Sequence, residues 1–135
     1  MPTGTLGSSA RDYHTRQRSF LSQQLTNANF PAAATIKMGT IPAGSVIVAA
    51  SFATSIVFNN ATLNQLSLGN AASGAQIAAS TVGLAALGST PVTVVAAAAG
   101  PLAADTDIYV TNTSTGGGQS TGAAVAFVEY LTPNP

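Results

Sequence analysis

The chain has 135 residues, no cysteine, a formal net charge of zero, and only 6% charged residues. A soluble domain usually carries about 25% charged residues, so an Ala/Thr/Ser/Gly-rich surface this neutral favours self-association and predicts cover by other subunits; the alternative is that Ser, Thr, Asn and Gln supply enough hydration alone. The lack of cysteine excludes disulfides and thiolate metal sites, and the length suits one domain plus an arm.

In chain order, residues 1–9 (MPTGTLGSS) carry no apolar periodicity. The segment 11–20, RDYHTRQRSF, concentrates charge: Arg11, Arg16 and Arg18 stand against Asp12, and the only histidine is His14. Residues 31–135 hold Lys37 against Asp105, Asp107 and Glu129. The front of the chain is thus net positive and the remainder net negative, a weak steering field between copies. The spacing predicts a helix over about 10–25, with Tyr13, Phe20, Leu21 and Leu25 on one face and Arg11, Arg18 and Ser22 on another; an extended arm along a neighbour is the alternative. Asn27, Asn29 and Pro31 end the segment, because the residue before proline avoids the α region. The division expected is an arm, 1–32, followed by a β domain, 33–135. No secretory signal is expected, since residues 1–30 lack an apolar core of the usual 7–15 residues. The apolar run 92–99 is too short to span a membrane.

From about residue 33 the pattern is β. SVIVAASFATSIVF, 45–58, alternates with Val46, Val48, Ala50, Phe52, Thr54, Ile56 and Phe58 on one face and mostly Ser and Ala on the other, the period of a half-buried strand. At 14 residues it is expected to bend or bulge, since strands usually run 3–10 residues. Further strands are expected at 35–38, 62–68, 76–79, 92–97, 107–112 and 123–131, separated by Gly, Pro and Asn turn signals. The last has apolar residues on both faces, Val125 and Phe127 on one, Val128 and Tyr130 on the other. It therefore predicts a central strand or one covered by a neighbouring subunit. The fold class expected is all-β, a jelly-roll-like β-sandwich or barrel with an N-terminal extended or helical arm.

Chemistry is sparse. Nucleophilic catalysis needs a base beside Ser or Thr, and His14 sits in the arm. Asp105 and Asp107 read as turn chemistry at a strand start; Ca²⁺ would want 6–8 oxygen ligands. Gly116-Gly117-Gly118 lacks the lysine and helix of a phosphate-binding loop and reads as a long flexible loop. Three arginines offset by Asp12 make a poor nucleic-acid footprint. The chain is read as non-enzymatic, with no cofactor, no metal, no nucleic-acid partner and no membrane partner.

An arm docked on protein loses roughly 1–2 kcal/mol per residue in backbone entropy. An exposed Arg–carboxylate pair returns about 0–1 kcal/mol, whereas burying a large apolar side chain returns about 1.5–3 kcal/mol. The partner-binding residues expected in the arm are therefore Phe20, Leu21, Leu25 and Phe30 as anchors, with Arg11, Arg16 and Arg18 setting orientation and Tyr13 a further contact residue.

The stretch TIPAGSVIVAASFATSIVFNNATLNQLSLGN, with DIYVTNTSTGGGQSTGAAVAFVEYL downstream, resembles small virion structural proteins of tailed bacteriophages. Its elements are a Pro-Ala-Gly turn into a long strand, a Phe-Asn-Asn corner, a Leu-Ser-Leu-Gly strand end and a Val-Glu-Tyr terminal strand after a Gly-rich loop. It is similar to capsid decoration (cement) proteins of jelly-roll or β-sandwich type. That resemblance implies a protein made in the host cytoplasm that joins the capsid exterior as a homo-dimer or homo-trimer. There it would bridge major capsid protein subunits and stabilise the assembled head, with the arm as a clamp. The alternative is a head-fibre or tail-associated receptor- or glycan-binding module, against which stand 6% aromatic residues and no tryptophan.

Overall fold

A computed structural model describes residues 17–133. Among these, eight strands form: β1 (Arg18–Thr26), β2 (Thr35–Ile41), β3 (Val46–Ile56), β4 (Gln65–Gly69), β5 (Ala78–Val82), β6 (Gly88–Val92), β7 (Thr106–Asn112) and β8 (Ala123–Leu131), with one short 3₁₀ turn at Ala96–Ala98. They make two antiparallel four-stranded sheets, ordered β1-β8-β3-β6 and β2-β7-β4-β5. The pairings nest: β1 with β8, β2 with β7, β3 with β6 and β4 with β5. The chain is thus one long hairpin folded over on itself, and β3·β8 and β4·β7 complete the sheets. This is the winding of a jelly-roll-like β-sandwich.

Alternation along the strands supplies the core between the sheets. Ile47, Ala50, Phe52, Ala126 and Val128 from the first sheet meet Ile41, Leu66, Leu68, Ile108 and Val110 from the second, all buried. Phe30 and Phe58 lie edge to face at one end, their centroids 6.3 Å apart, an arrangement favoured by the ring quadrupoles. Gly122, at positive φ, lets the chain enter β8 against Phe58; a Cβ there would strike the ring.

The strand over 45–58 breaks alternation twice. Its register with β8 shifts between Ile47 and Ala49 and again between Thr54 and Ile56. An inserted residue reverses which side chains face inward. Ile47 is therefore buried while Val48 and Ile56 face out, opposite to the strict even–odd reading. β8 is central, flanked by β1 and β3, as its two apolar faces required.

Three expectations are corrected. The helix over 10–25 is, across its described part, the regular strand β1, in unbroken register with β8 from Arg18↔Leu131 to Thr26↔Ala123; residues 10–16 lie outside the described residues. Leu21 and Leu25 are four apart, which suits both a helix face and a strand face, and pairing with β8 decides between them. The strand expected at 92–97 lies earlier, at Gly88–Val92, and Ala96–Ala98 forms the 3₁₀ turn instead. The Gly-rich loop is pinned rather than free. Gln119 donates to Asn27 and to the Phe30 carbonyl and accepts from Asn60 and Asn112, at 2.6–3.1 Å.

Candidate interaction surface

The partner-binding residues expected from the sequence separate into three groups. Arg11, Tyr13 and Arg16 lie outside the described residues. Leu25 and Phe30 are fully buried in this chain's own core, which corrects their expected role as anchors on a partner: their apolar area is already spent within the fold. Leu21 faces inward, partly buried over Gly39. Phe20 and Arg18 alternate with it and face outward. Phe20 is 61% exposed, and Arg18 forms an ion pair with Glu129 across the β1·β8 ladder.

Register places these side chains in rows across the outer face of the first sheet. Phe20 stands opposite Glu129, which stands opposite Ala49. The next row runs Ser22, Phe127, Ser51 and Pro91. Residues directly opposite share a face about 4.5–5.5 Å apart. A large ring on β1 and small residues on β3 therefore leave a hollow of about 110 Å³, lined by Phe20, Ala49, Ser51, Phe127 and Glu129. Apart from Arg18 and Glu129, this face has no charged side chain among the described residues.

The outer face of the second sheet is largely polar and cross-bonded, with Val82 exposed on its edge strand β5. Lys37 Nζ lies 2.9 Å from Asp107, and the Thr40 hydroxyl donates to the same carboxylate at 2.6 Å. The Thr40 hydroxyl, then Lys37, hold the Asp107 carboxyl below its ordinary value. The Asp107 hydrogen bond correspondingly raises Lys37. Thr35 bonds Thr111 at 3.0 Å, and Ser73, in the β4–β5 loop, at 3.3 Å. Ser67 donates to the Gly74 carbonyl, so this loop lies over part of the sheet.

Asp105 accepts from the Ala43 amide at 2.9 Å, holding the turn before β3, as its turn reading anticipates. Among the described residues no group of three or more His, Cys, Asp or Glu side chains could hold a metal, and no helix is long and apolar enough to cross a membrane. A second, larger groove of about 400 Å³ lies at the opposite end from the Gln119 cluster, lined chiefly by residues 97–106. Sequence reasoning missed the Gln119 cluster. Its signal was the concentration of Asn and Gln (Asn27, Asn59, Asn60, Asn64, Gln119) just outside strand ends.

No family model matches the chain, and no curated protein matches it. Solved structures do. A chain of the cyanophage Pam1 capsid asymmetric unit superposes with a TM-score of 0.68 over 98% of this chain and 100% of that one, at 17% identity. A chain of the capsid of Ralstonia phage GP4 superposes with a TM-score of 0.64 over 89% of this chain and 85% of that one, also at 17% identity. The fold described above is thus shared, nearly end to end, with chains found in phage capsids.

Proposed function

We propose that this chain is a virion structural protein of a tailed-phage head, a decoration (cement) protein. It binds the exterior of the assembled shell, bridges major capsid protein subunits and acts as a homo-oligomer. The observation that carries the reading is the reach of the Pam1 likeness, 98% of this chain against 100% of the other. The likeness is to a whole small subunit rather than to one domain of a larger chain. The neutral surface supports it, because an uncharged exterior of this kind is stable against association only when it is already covered. Binding the assembled shell and not its free subunits stabilises the shell by mass action.

In this reading residues 1–16 form the clamp, with Arg11, Tyr13 and Arg16 contacting a neighbouring subunit. The truncation that isolates the clamp ends at residue 16, because residues 18–30 belong to the sandwich. The test adds purified full-length and 17–135 protein to undecorated capsids and measures occupancy by particle imaging and shell melting temperature. Saturable occupancy and a raised melting temperature with the full chain are expected, with reduced occupancy for 17–135. No binding by the full chain would overturn the decoration reading.

A further inference from the structure

We propose that the free edge of β1 takes up one extended strand from a shell subunit, which widens the first sheet by main-chain pairing. The proposal rests on the virion reading above and names a contact separate from residues 1–16.

The alternation of the ladder fixes which groups of β1 are open. At its two ends the Thr132 N–H donates to the Gln17 carbonyl and the Asn27 N–H to the Gly122 carbonyl, both at 2.9 Å. The register between them is unbroken, and bonded pairs alternate with unbonded ones along an antiparallel ladder. Odd-numbered residues of β1 therefore bond β8, and even-numbered ones aim their N–H and C=O away from it. The turn after β1 agrees. Asn29 Oδ1 accepts from the Thr26 N–H at 2.7 Å, the Phe30 N–H donates to the Thr26 carbonyl at 2.8 Å, and Asn29 Nδ2 donates to the Gln24 carbonyl at 3.1 Å. That end of the edge is capped. Ahead of the cap, the amides of Arg18, Phe20, Ser22 and Gln24 and the carbonyls of Arg18, Phe20 and Ser22 have no backbone partner among the described residues.

Sheets normally blunt their edges, and the other three edge strands here do. β6 has five residues and carries Pro91. β5 has five residues and a register shift against β4. β2 is bulged between Lys37 and Gly39. β1 has nine residues in unbroken register, with neither proline nor bulge.

Open main-chain groups spaced along a strand are matched by another extended backbone. Laid antiparallel, a segment of about seven residues exchanges two bonds at each of Arg18, Phe20 and Ser22 and makes one more at the Gln24 amide. Charge selects the occupant. The Arg18 side chain is 66% exposed although it pairs with Glu129, and a guanidinium has five donors, so an Asp or Glu on the added strand fits opposite it. The β1 of a second copy, RSFLSQQLT, has no acid and brings another arginine instead. Residues 14–16 of this chain, His-Thr-Arg, include none of the Gly, Asn or Asp that a tight hairpin back onto β1 needs. The occupant is thus an acid-bearing extended segment of a different polypeptide, which in the virion reading is a shell subunit.

The test reads amide hydrogen exchange of the full-length protein, free and bound to undecorated capsids. In the free protein the Phe20 and Ser22 amides should exchange roughly 100-fold faster than those of Ser19 and Leu21, which bond β8. On decorated shells the Phe20 and Ser22 amides should slow by roughly tenfold or more. Ser22→Pro removes only an outward N–H, which an edge strand tolerates. It should weaken shell binding roughly tenfold with an unchanged circular dichroism spectrum, while Ser22→Ala binds as the parent does. If Ser22→Pro does not fold, the exchange measurement decides. Occupied shells on which both amides still exchange fast, or a folded Ser22→Pro that binds like the parent, would overturn the proposal and leave the decoration reading standing. No occupancy by the full chain overturns both. Slow exchange in the free chain that is relieved in 17–135 gives the edge to residues 1–16, and slowing that grows with protein concentration gives it to a second copy; either result overturns the proposal.

Discussion

The two outer faces of the sandwich come from the same winding, the first sheet having the longer strands, yet they solve the problem of exposure differently. On the second sheet, Thr35, Thr40, Lys37, Asp107 and Thr111 bond to one another, and the β4–β5 loop adds Ser73 and Gly74. On the first sheet, Phe20, Ala49, Ser51, Val125 and Phe127 have few polar groups to satisfy and only one ion pair beside them. A face that satisfies itself is suited to water. A face of small apolar side chains around one projecting ring gains from being covered. In a chain with 6% charge, the two faces differ by that asymmetry rather than by any charged patch.

The largest expected effect tests whether the faces depend on a common core. Phe58→Ala removes one ring of the edge-to-face pair with Phe30 and should cost about 3–5 kcal/mol in urea denaturation, with both faces lost in one transition. Separate transitions would mean that the sheets unfold independently. Gln119→Ala should cost about 1–3 kcal/mol, because it removes four hydrogen bonds at once and leaves the Asn60 and Asn112 amides with one partner each, Asn64 and the Phe30 carbonyl.

The direct comparison comes next. Ser51→Arg on the first face should weaken shell binding or self-association about tenfold, about 1.4 kcal/mol, while Thr40→Arg on the second should leave both unchanged. Equal losses would erase the distinction between the faces. Thr54→Val acts in the opposite direction. The Thr54 hydroxyl is buried on the inner side of β3 with no hydrogen-bond partner, so its removal should stabilise the fold by about 1 kcal/mol.

The smallest effect is in pH. Asp107 is held below its ordinary 3.8, so its interactions contribute stability that is present above that value and lost as pH falls through the lowered one. Lys37, raised above 10.5, contributes stability present below that value and lost as pH rises through the raised one. Both groups are exposed, so the changes should be slight. Thermal melts of Thr40→Val against the parent should converge as pH falls toward the lowered Asp107 value.

Much of the sandwich was legible because period-2 alternation and turn residues act locally. Phe52 and Thr54 on one side, with Ala53 and Ser55 on the other, mark β3 without any partner. The double-sided apolar pattern of Val125 to Tyr130 marks β8 as central. What stayed hidden depends on pairing. RSFLSQQLT is rich in residues that tolerate a helix, and nothing local reveals that β8 waits about a hundred residues away. The bulges of β3 were equally silent in position, since an inserted residue is recognised only against its partner strand. The candidate surface was half visible. Phe20 stood out as an apolar residue among arginines, but its separation from Leu25 and Phe30, one outward and two inward, follows from the strand and not from the composition.

The nested pairing also governs when the protein can come into being. Arg18 and Glu129, which pair diagonally across β1 and β8, are 111 positions apart, and β8 fills the middle of the first sheet. Such non-local closure is slow compared with local pairing, and during translation it must wait for the last strand to leave the ribosome. A chain that stops short of β8 has neither the Phe127 wall of the hollow nor the Glu129 partner of Arg18. Synthesis itself therefore acts as a checkpoint: an unfinished copy has no completed first sheet.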